Sequence, residues 1–353
     1  MDRWYQLSNH SPKLSPMSSD IPSNTDLISP HLPFSSLPLD PNGPPGNAWG
    51  RFGNADQLGM LNLLTPAVVA AAAKEIISGV RISLDWPLNK PLYPSYGRDP
   101  YKHEIKQRGG PDRVVNDDIL SFNTQISSQW DGFRHYGYLE EQRYYNNTTH
   151  DQIHSSSTIG IDAWASKGGI VGRGILLDYH SWAITNSMPL APLSSTAIPF
   201  SHLQRVIADQ NVSFRAGDIL FIRSGFTAAY NALSTTEQLA LSKRPSADFM
   251  GVEPTEEVLE WLWETQFAAV AGDSPAFERS PVGCGKDKYD NPPPVVLHEW
   301  LLGGWGMPIG EMFDLEELAN HCRECKRWSF FVSSIPLKVP GGVASPPNAV
   351  AIF

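Results

Sequence analysis

Three short apolar runs, each ending in polar residues, constrain the fold of this chain more than any other feature. They are GILLDY (174–179), DILFIRSG (218–225) and FAAVAGD (267–273), and helical patterns at 202–210 and 256–264 separate them. Apolar runs of this length suit buried strands. Strands that alternate with helices predict a layered α/β or α+β fold.

The polar residues at the ends of these runs are Asp178, Arg223 and Asp273. Proteins with α/β folds commonly build their sites where strands end. We therefore expect these three side chains near a functional site.

Two further elements are predicted upstream. Thr65 and Pro66 have the residue types of a helix N-cap and a first helical position, and we expect this helix to end at Gly79. The alternation of Ile82, Leu84 and Trp86 predicts a strand directly after it.

Residues 1–45 differ from the rest of the chain because they are rich in Pro, Ser and Asn. This composition predicts an extended or disordered arm, with few periodic apolar contacts. The arm could alternatively lie across the body of the protein or a partner subunit. Residues 46–353 have the composition of one packed domain, and we expect it to melt cooperatively without the arm.

Composition and charge exclude several classes of protein. The 353 residues carry 27 Lys and Arg against 37 Asp and Glu, a net charge of −10, so nucleic acid is not expected as a partner. No stretch approaches the roughly 18 apolar residues of a membrane span, so no membrane association is expected. With three cysteines and no apolar signal region, a cytoplasmic location is expected.

The densest cluster of polar and aromatic residues runs from Gln125 to Gly137, and a second polar group at 146–151 follows it. Asp131 and His135 stand four positions apart with a glycine between them. In a loop they could converge on one substrate atom or one metal ion. The structural alternative is that Asp131 caps a turn and His135 packs with one nitrogen satisfied.

A second cluster pairs His298 with Glu311 across a segment that contains four glycines. Such a segment can turn sharply and bring both side chains into one pocket. Alternatively, His298 begins a helix and Glu311 lies at the edge of the next element.

Several familiar motifs are discounted or missing. Cys322 and Cys325 form a C-x-x-C pair in a helical pattern, but no second pair accompanies them, so buried packing is the better interpretation. The sequence contains no G-x-S-x-G elbow, no phosphate loop and no G-x-G-x-x-G fingerprint.

Seven ordered segments follow the pattern of one known family. They are WGRFGNADQLGMLNLLTP (49–66), QWDGFRHYG (129–137), GGIVGRGILLDY (168–179), GDILFIRSGF (217–226), AVAGDSPAFE (269–278), HEWLLGGWGMPIGEMFDLEELA (298–319) and PLKVPGGVASPPNAVAIF (336–353). Through them the chain resembles the cyclase family of kynurenine formamidases and isatin hydrolases. The resemblance implies an α/β, compact β-β-α swivelling fold with a mixed sheet and flanking helices, a homodimer, and hydrolysis of an amide or lactam by a metal-activated water.

The chain departs from the metal motif of that family. Its hydrolases carry H-x-G-T-H-x-D-x-P-x-H, in which two histidines and the aspartate hold a divalent metal and the last histidine assists proton transfer. In this chain the matching positions are Gln125, Gln129, Asp131 and His135. An amide oxygen is a far poorer ligand for zinc than imidazole, so the site as the family builds it should be weakened.

The resemblance also places His298 and Glu311 where binuclear members have a further His and Glu. Asp131, His298 and Glu311 could therefore hold one zinc or manganese ion, or act without metal as an acid–base set. We predict that Gln129, Asp131, His135, His298 and Glu311 converge on one pocket.

Three functions stay open. The first is a hydrolase that opens an amide, lactam or lactone with Asp131, His135, His298 and Glu311 as catalytic residues. The second is a metal-independent isomerase, dehydratase or cyclase acting on an aromatic or polyketide-like metabolite of secondary metabolism, and the third is a non-catalytic binding protein. Residues expected to contact the small-molecule substrate are Gln125, Gln129, Trp130, Phe133, Tyr136, His150 and Trp305.

Overall fold

The computed structural model describes residues 30–282 and 295–353. Its strands are β1 Arg81–Ser83, β2 Lys102–Gln107, β3 Asn116–Ser121, β4 Gln129–Asp131, β5 Arg143–Tyr144, β6 Thr148–Thr149, β7 Ile170–Leu177, β8 Ala197–Ile198, β9 Ile219–Ile222, β10 Gly251–Val252, β11 Ala269–Gly272, β12 Ile309–Glu311, β13 Ser329–Ser334, β14 Ala344–Ser345 and β15 Ala349–Ile352. Its α-helices are α1 Pro66–Ala72, α2 His150–Ser155, α3 Asp162–Ser166, α4 Tyr179–Thr185, α5 Phe200–Asp209, α6 Phe226–Asn231, α7 Thr235–Ser242, α8 Glu256–Glu264 and α9 Glu316–Cys325. A π-helical turn, Glu299–Trp305, precedes β12.

Nine strands form one mixed sheet in the order β1-β15-β13-β7-β9-β11-β12-β4-β14. The four strands from β7 to β12 are parallel neighbours, and the strands on either side of them pair antiparallel. Helices flank this sheet, so the predicted mixed α/β architecture is confirmed.

The three apolar runs form the centre of the sheet as β7, β9 and β11. All four residues of β9 and of β11 are buried. Helices α5 and α8 lie between these strands in sequence, and each buries an apolar face that includes Leu203 and Leu262 respectively. Hydrophobic periodicity therefore predicted these five elements correctly.

Helix α1 is shorter than predicted. Thr65 accepts a hydrogen bond from the Val68 amide as its N-cap, but the helix ends at Ala72 and a 3-10 turn follows. Beyond this turn, the amides of Ser78 and Gly79 donate to the carbonyl of Phe353. Hydrogen bonds to the C-terminal residue thus replace the helical ones.

The polar residues at the strand ends connect secondary-structure elements. Arg223 forms a buried ion pair with Asp178 at 2.7 Å and a partly exposed one with Glu316 at 2.6 Å. Asp273 accepts hydrogen bonds from the amides of Ser224 and Gly225 at the start of α6. In the structure their polar atoms connect secondary-structure elements, and their place near a functional site stays a prediction.

The C-x-x-C pair lies in α9, where Cys322 is buried in the core and Cys325 is exposed. The third cysteine, Cys284, lies outside the described residues. Within residues 30–282 and 295–353, no helix has both the length and the apolar character of a membrane span.

Residues 30–45 of the N-terminal segment lie against the body of the protein, while residues 1–29 are outside the described part. Phe34 stacks on Trp300 with ring centroids 5.9 Å apart. The carbonyl of Leu32 accepts a 2.6 Å hydrogen bond from the indole of Trp263, and the amide of Phe34 donates to Glu264. For residues 30–45 these contacts match the alternative in which the arm lies across the body of the protein.

We expect the substitution Phe34→Ala to lower the free energy of unfolding by about 2 kcal/mol, because it removes an aromatic side chain that packs on the core. Chemical denaturation of the full chain measures this change. Ser35→Ala, at the neighbouring exposed position, is the matched control and should leave stability unchanged. Equal stabilities of both variants would show that residues 30–45 add nothing to the core.

Candidate active site

The antiparallel pairing of β4 with β12 builds the centre of the site. Gln129 lies opposite Glu311, and Asp131 lies opposite Ile309. Because alternate residues of a strand point to one face, Gln129, Asp131 and Glu311 share a face of the sheet. All three are buried, although Gln129 and Glu311 are 182 positions apart in sequence.

His298 enters this face from the start of the π-helical turn. Its Nε2 atom lies 3.1 Å from Glu311 Oε1 and 3.9 Å from Asp131 Oδ2. Its Nδ1 atom lies 2.8 Å from Glu278 Oε2, and its amide donates to the other oxygen of the same carboxylate. Glu278 thus fixes the imidazole so that Nε2 faces Asp131 and Glu311.

The two glutamines hold the carboxylates. The Gln125 amide nitrogen donates to Asp131 Oδ1 at 2.5 Å, and the Gln129 amide nitrogen donates to Glu311 Oε2 at 2.9 Å. The Gln129 nitrogen also donates to Gln125 Oε1 at 2.7 Å. Each carboxylate therefore accepts an amide hydrogen bond with one oxygen. The other oxygen of Asp131 faces His135 and His298, and that of Glu311 faces His298.

Two buried oxygens of this cluster have no hydrogen-bond partner among the described residues. The first is Asp131 Oδ2, which lies 3.9 Å from both His135 Nε2 and His298 Nε2. These separations are too long for hydrogen bonds. The second unpartnered oxygen is Gln129 Oε1, on the amide that contacts Glu311. Unpartnered buried oxygens are costly, so this arrangement indicates a place for a ligand, a water or a cation.

Burial and charge perturb the titration of three groups. Burial and the neighbouring Asp131 carboxylate raise the pKa of Glu311 to about 7. Burial disfavours the charged form of His298, but Glu278 and Glu311 outweigh it and raise the pKa of His298 well above its ordinary value. Burial lowers the pKa of His135, against the effect of Asp131, so the His135 imidazole is neutral at pH 7.

Three aromatic side chains that were expected to contact substrate are core residues. Trp130 alternates with Gln129 and Asp131 along β4, so its ring points to the opposite face, where it packs on Phe313. This packing needs a glycine at position 310, since a Cβ there would lie 2.9 Å from the Trp130 ring.

The other two core rings are Phe133 and Trp305. Phe133 packs between Tyr145 and Trp164, and the indole of Trp305 donates to the carbonyl of Gly46. These rings and Trp130 are buried in the core beneath the polar motif, and their contact with substrate stays a prediction.

Tyr136 and His150 have different surroundings. The Tyr136 ring lies 5.3 Å from the His298 ring, so Tyr136 belongs to the cluster. His150 instead stacks on Tyr144, and its Nε2 atom lies 3.1 Å from that of His154 in α2. The structure therefore places His150 in a separate surface group, away from its predicted position at the substrate.

Sequence reasoning missed Glu278 and Arg98. Glu278 lies in the AVAGDSPAFE segment, six residues beyond the end of β11, and its position shortly after a central strand is the signal that could have indicated it. Arg98 lies in an irregular segment, and its Nη1 atom donates to the carbonyl of Gln125 at 2.7 Å. No local pattern marks that position.

The raised pKa of Glu311 predicts a pH dependence of stability in metal-free protein. Glu311 titrates near 7 when folded and near 4.5 when unfolded, so the folded state holds the extra proton between these values. Its contribution to stability is complete below the unfolded pKa and is lost as pH rises through about 7. Between pH 6 and pH 8 this loss is about 1 kcal/mol.

Between pH 6 and pH 8, the unfolding free energy of Glu311→Gln should fall by about 1 kcal/mol less than that of the wild type. Urea denaturation in the presence of chelator measures it. Glu324→Gln, an exposed position in α9, is the control and should retain the wild-type pH dependence. If Glu311→Gln also retains the wild-type pH dependence of the unfolding free energy, Glu311 does not hold a proton at neutral pH.

Comparison with known proteins identifies the family. The Cyclase family model matches residues 51–279, and no curated protein matches the sequence. The crystal structure of a novel cyclase is 28% identical, with a TM-score of 0.74 over 87% of this chain and 99% of that one. Isatin hydrolase A from Ralstonia solanacearum is 16% identical, with a TM-score of 0.56 over 82% of this chain and 97% of that one.

A third similar structure is an isatin hydrolase bound to the product analogue thioisatinate, at 12% identity and a TM-score of 0.54, with 80% of this chain and 94% of that one covered. Because the two isatin hydrolases are only 16% and 12% identical to this chain, the similarity shows a shared fold and no more. The family match itself spans more than half of the chain. The chain belongs to the Cyclase family, whose members among these comparisons are hydrolases or cyclases.

Proposed function

We propose that this protein is a metal-dependent hydrolase that opens an amide, lactam or lactone bond of a small molecule. The observation that carries the proposal is the buried triad of Asp131, His298 and Glu311, in which Asp131 Oδ2 lacks a partner. Two of the similar structures are isatin hydrolases, which supports this reaction class.

The triad fits a divalent cation. One ligand atom from each residue lies within 4.8 Å of the others. His298 Nε2 lies 3.1 Å from Glu311 Oε1 and 3.9 Å from Asp131 Oδ2, so one divalent cation could be held by all three residues. A cation would also offset the carboxylates of Asp131, Glu278 and Glu311, which share one buried space.

The donor atoms favour manganese over zinc. The triad supplies two carboxylates and one imidazole, and the unpartnered Gln129 Oε1 adds a neutral oxygen beside Glu311. Carboxylate and carbonyl oxygens suit manganese, whereas zinc prefers imidazole and thiolate. A bound metal would supply Lewis acidity and lower the pKa of a water molecule.

The remaining residues prepare the triad and move protons. Glu278 holds Nδ1 of His298, and the two glutamines hold one oxygen each of Asp131 and Glu311, so the ligand atoms are oriented in advance. His135 is neutral and lies beside Asp131, so it can accept a proton from the attacking water and return it to the leaving nitrogen or oxygen.

Purified protein is expected to contain close to one manganese or zinc ion per chain, measured by elemental analysis. The variant Glu278→Gln should lower metal affinity by about 10- to 100-fold, because it weakens the hydrogen bond that orients His298. Glu324→Gln is the exposed control and should bind metal as the wild type does. Hydrolytic activity should disappear with chelator and return with manganese.

A second function has its own supporting observation. Neutral His135 and a Glu311 with a pKa of about 7 form a base and an acid beside one space, which is what a metal-independent isomerase, dehydratase or cyclase requires. Protein without metal whose turnover resists chelator would overturn the hydrolase proposal and favour this alternative.

The glutamines give a further test. Replacing Gln125 and Gln129 together by histidine should raise zinc affinity by at least tenfold, since two imidazoles would stand beside Asp131. Native turnover should nevertheless fall, because Asp131 and Glu311 would lose the amides that position them. Calorimetric zinc titration and steady-state kinetics measure the two effects.

Gln107→His, on the exposed β2 strand, is the control for added histidine and should change neither quantity. Retained turnover in the double variant, together with tight zinc binding, would show that the glutamines have no part in the reaction.

A further inference from the structure

Arg98 lies at the edge of the cluster, and no carboxylate of the described residues pairs with it. Its Nη1 atom donates to the carbonyl of Gln125 at 2.7 Å, and its guanidinium lies 4.7 Å from the centre of the Tyr96 ring. In the part of the chain that the structure describes, this guanidinium forms no ion pair. One hydrogen bond and one ring contact therefore hold a cation that keeps most of its donors.

This arrangement is unusual for a half-buried arginine. Charged side chains that leave water are normally paired. The planar guanidinium carries five N–H donors in a fork that matches a carboxylate, and one carbonyl uses only one of them. The two contacts of Arg98 fix its orientation and leave that fork available to a ligand.

Arg98 is connected to the cluster through Gln125. The backbone carbonyl of Gln125 binds Arg98, and its side chain binds Asp131. Arg98 and Gln125 also line one cavity together with Met312, the residue that follows Glu311. The charge of Arg98 acts on the cluster as well, since it opposes the rise in the pKa of Glu311 that burial causes.

We infer that Arg98 binds a carboxylate of the ligand, either one that the substrate carries or the one that cleavage of its acyl bond creates. The inference rests on the proposed function only where the carboxylate is the one that cleavage creates. Without a bound cation the three carboxylates of the cluster repel an anion, and Arg98 supplies a positive charge toward which an anionic group can approach them. Arg98 is a cation at the edge of this cluster whose charge no carboxylate neutralises.

The cavity beside Arg98 sets a limit on what binds without movement. Its volume is about 10 Å³, enough for a single water or one ligand oxygen. Tyr96 and Gly97 are both in the left-handed region, and the Tyr96 hydroxyl lies 3.0 Å from Ser280 Oγ. A ligand with a larger body therefore requires the segment 91–98, which forms one wall, to move outward.

Calorimetric titration of the full chain with benzoate and with benzamide tests the inference, because the two probes differ only in the anionic group. Wild-type protein should bind benzoate more tightly than benzamide. Arg98→Gln should weaken benzoate binding by at least tenfold and leave benzamide unchanged, as expected for a charge-assisted pair. The benzoate affinity of Arg98→Lys should lie between those of the wild type and Arg98→Gln, because lysine keeps the charge but lacks the planar, forked donors of the guanidinium.

Arg205→Gln is the matched control, because the Arg205 guanidinium also lies over an aromatic ring, that of Trp182 at 4.9 Å. It should leave the affinities for both probes unchanged. No preference of the wild type for benzoate, or an equal loss of both probes in Arg98→Gln, would overturn the inference and leave Arg98 as a residue that only pins its loop.

Hydrolysis of formanilide and of 4-formamidobenzoate separates the two sources of the carboxylate. An increase in KM confined to 4-formamidobenzoate in Arg98→Gln assigns the carboxylate to the substrate. If KM changes equally for both amides in Arg98→Gln, and benzoate inhibits this variant more weakly than the wild type, the carboxylate is that of the product. If neither amide is hydrolysed by the wild type, the proposed function is in question, whereas the binding measurements still decide the role of Arg98.

Discussion

The pairing of β4 with β12 is the contact on which the candidate site depends. It places Gln129 opposite Glu311 and sets Asp131 on the same face, so that two buried carboxylates and a buried amide meet. Such a concentration of charge is unfavourable unless other groups compensate it. His298, Glu278 and the two glutamines supply this compensation, and the unpartnered Asp131 Oδ2 shows that it is incomplete.

The exchange of two histidines for glutamines changes the type of interaction at the site. An imidazole would donate a nitrogen lone pair to a metal, whereas the amide nitrogens of Gln125 and Gln129 donate hydrogen bonds to carboxylates. The glutamines thus contact the carboxylates of Asp131 and Glu311, and these carboxylates lie between them and a bound ligand or metal in the site that we propose. In the metal site that we propose, His298 would supply the nitrogen ligand and the other donors would be oxygens, which would favour manganese over zinc.

Much of the fold could be predicted because its signals are local. The buried strands β7, β9 and β11 are apolar over their whole length, and α5 and α8 show helical periodicity between them. The roles of single side chains were harder to predict. Trp130 adjoins Gln129 and Asp131 in sequence, yet the alternation of a strand sends its ring to the other face.

The sequence by itself determined the α/β class, the family and the residues from which a site can be made, because all three follow from local patterns and from the order of motifs. Tertiary structure decided which of those residues meet. Glu278 contacts His298, Arg98 contacts Gln125, and Asp178 pairs with Arg223. These contacts depend on how strands are ordered in the sheet and on where irregular segments cross it, and no pattern within a single segment carries that information.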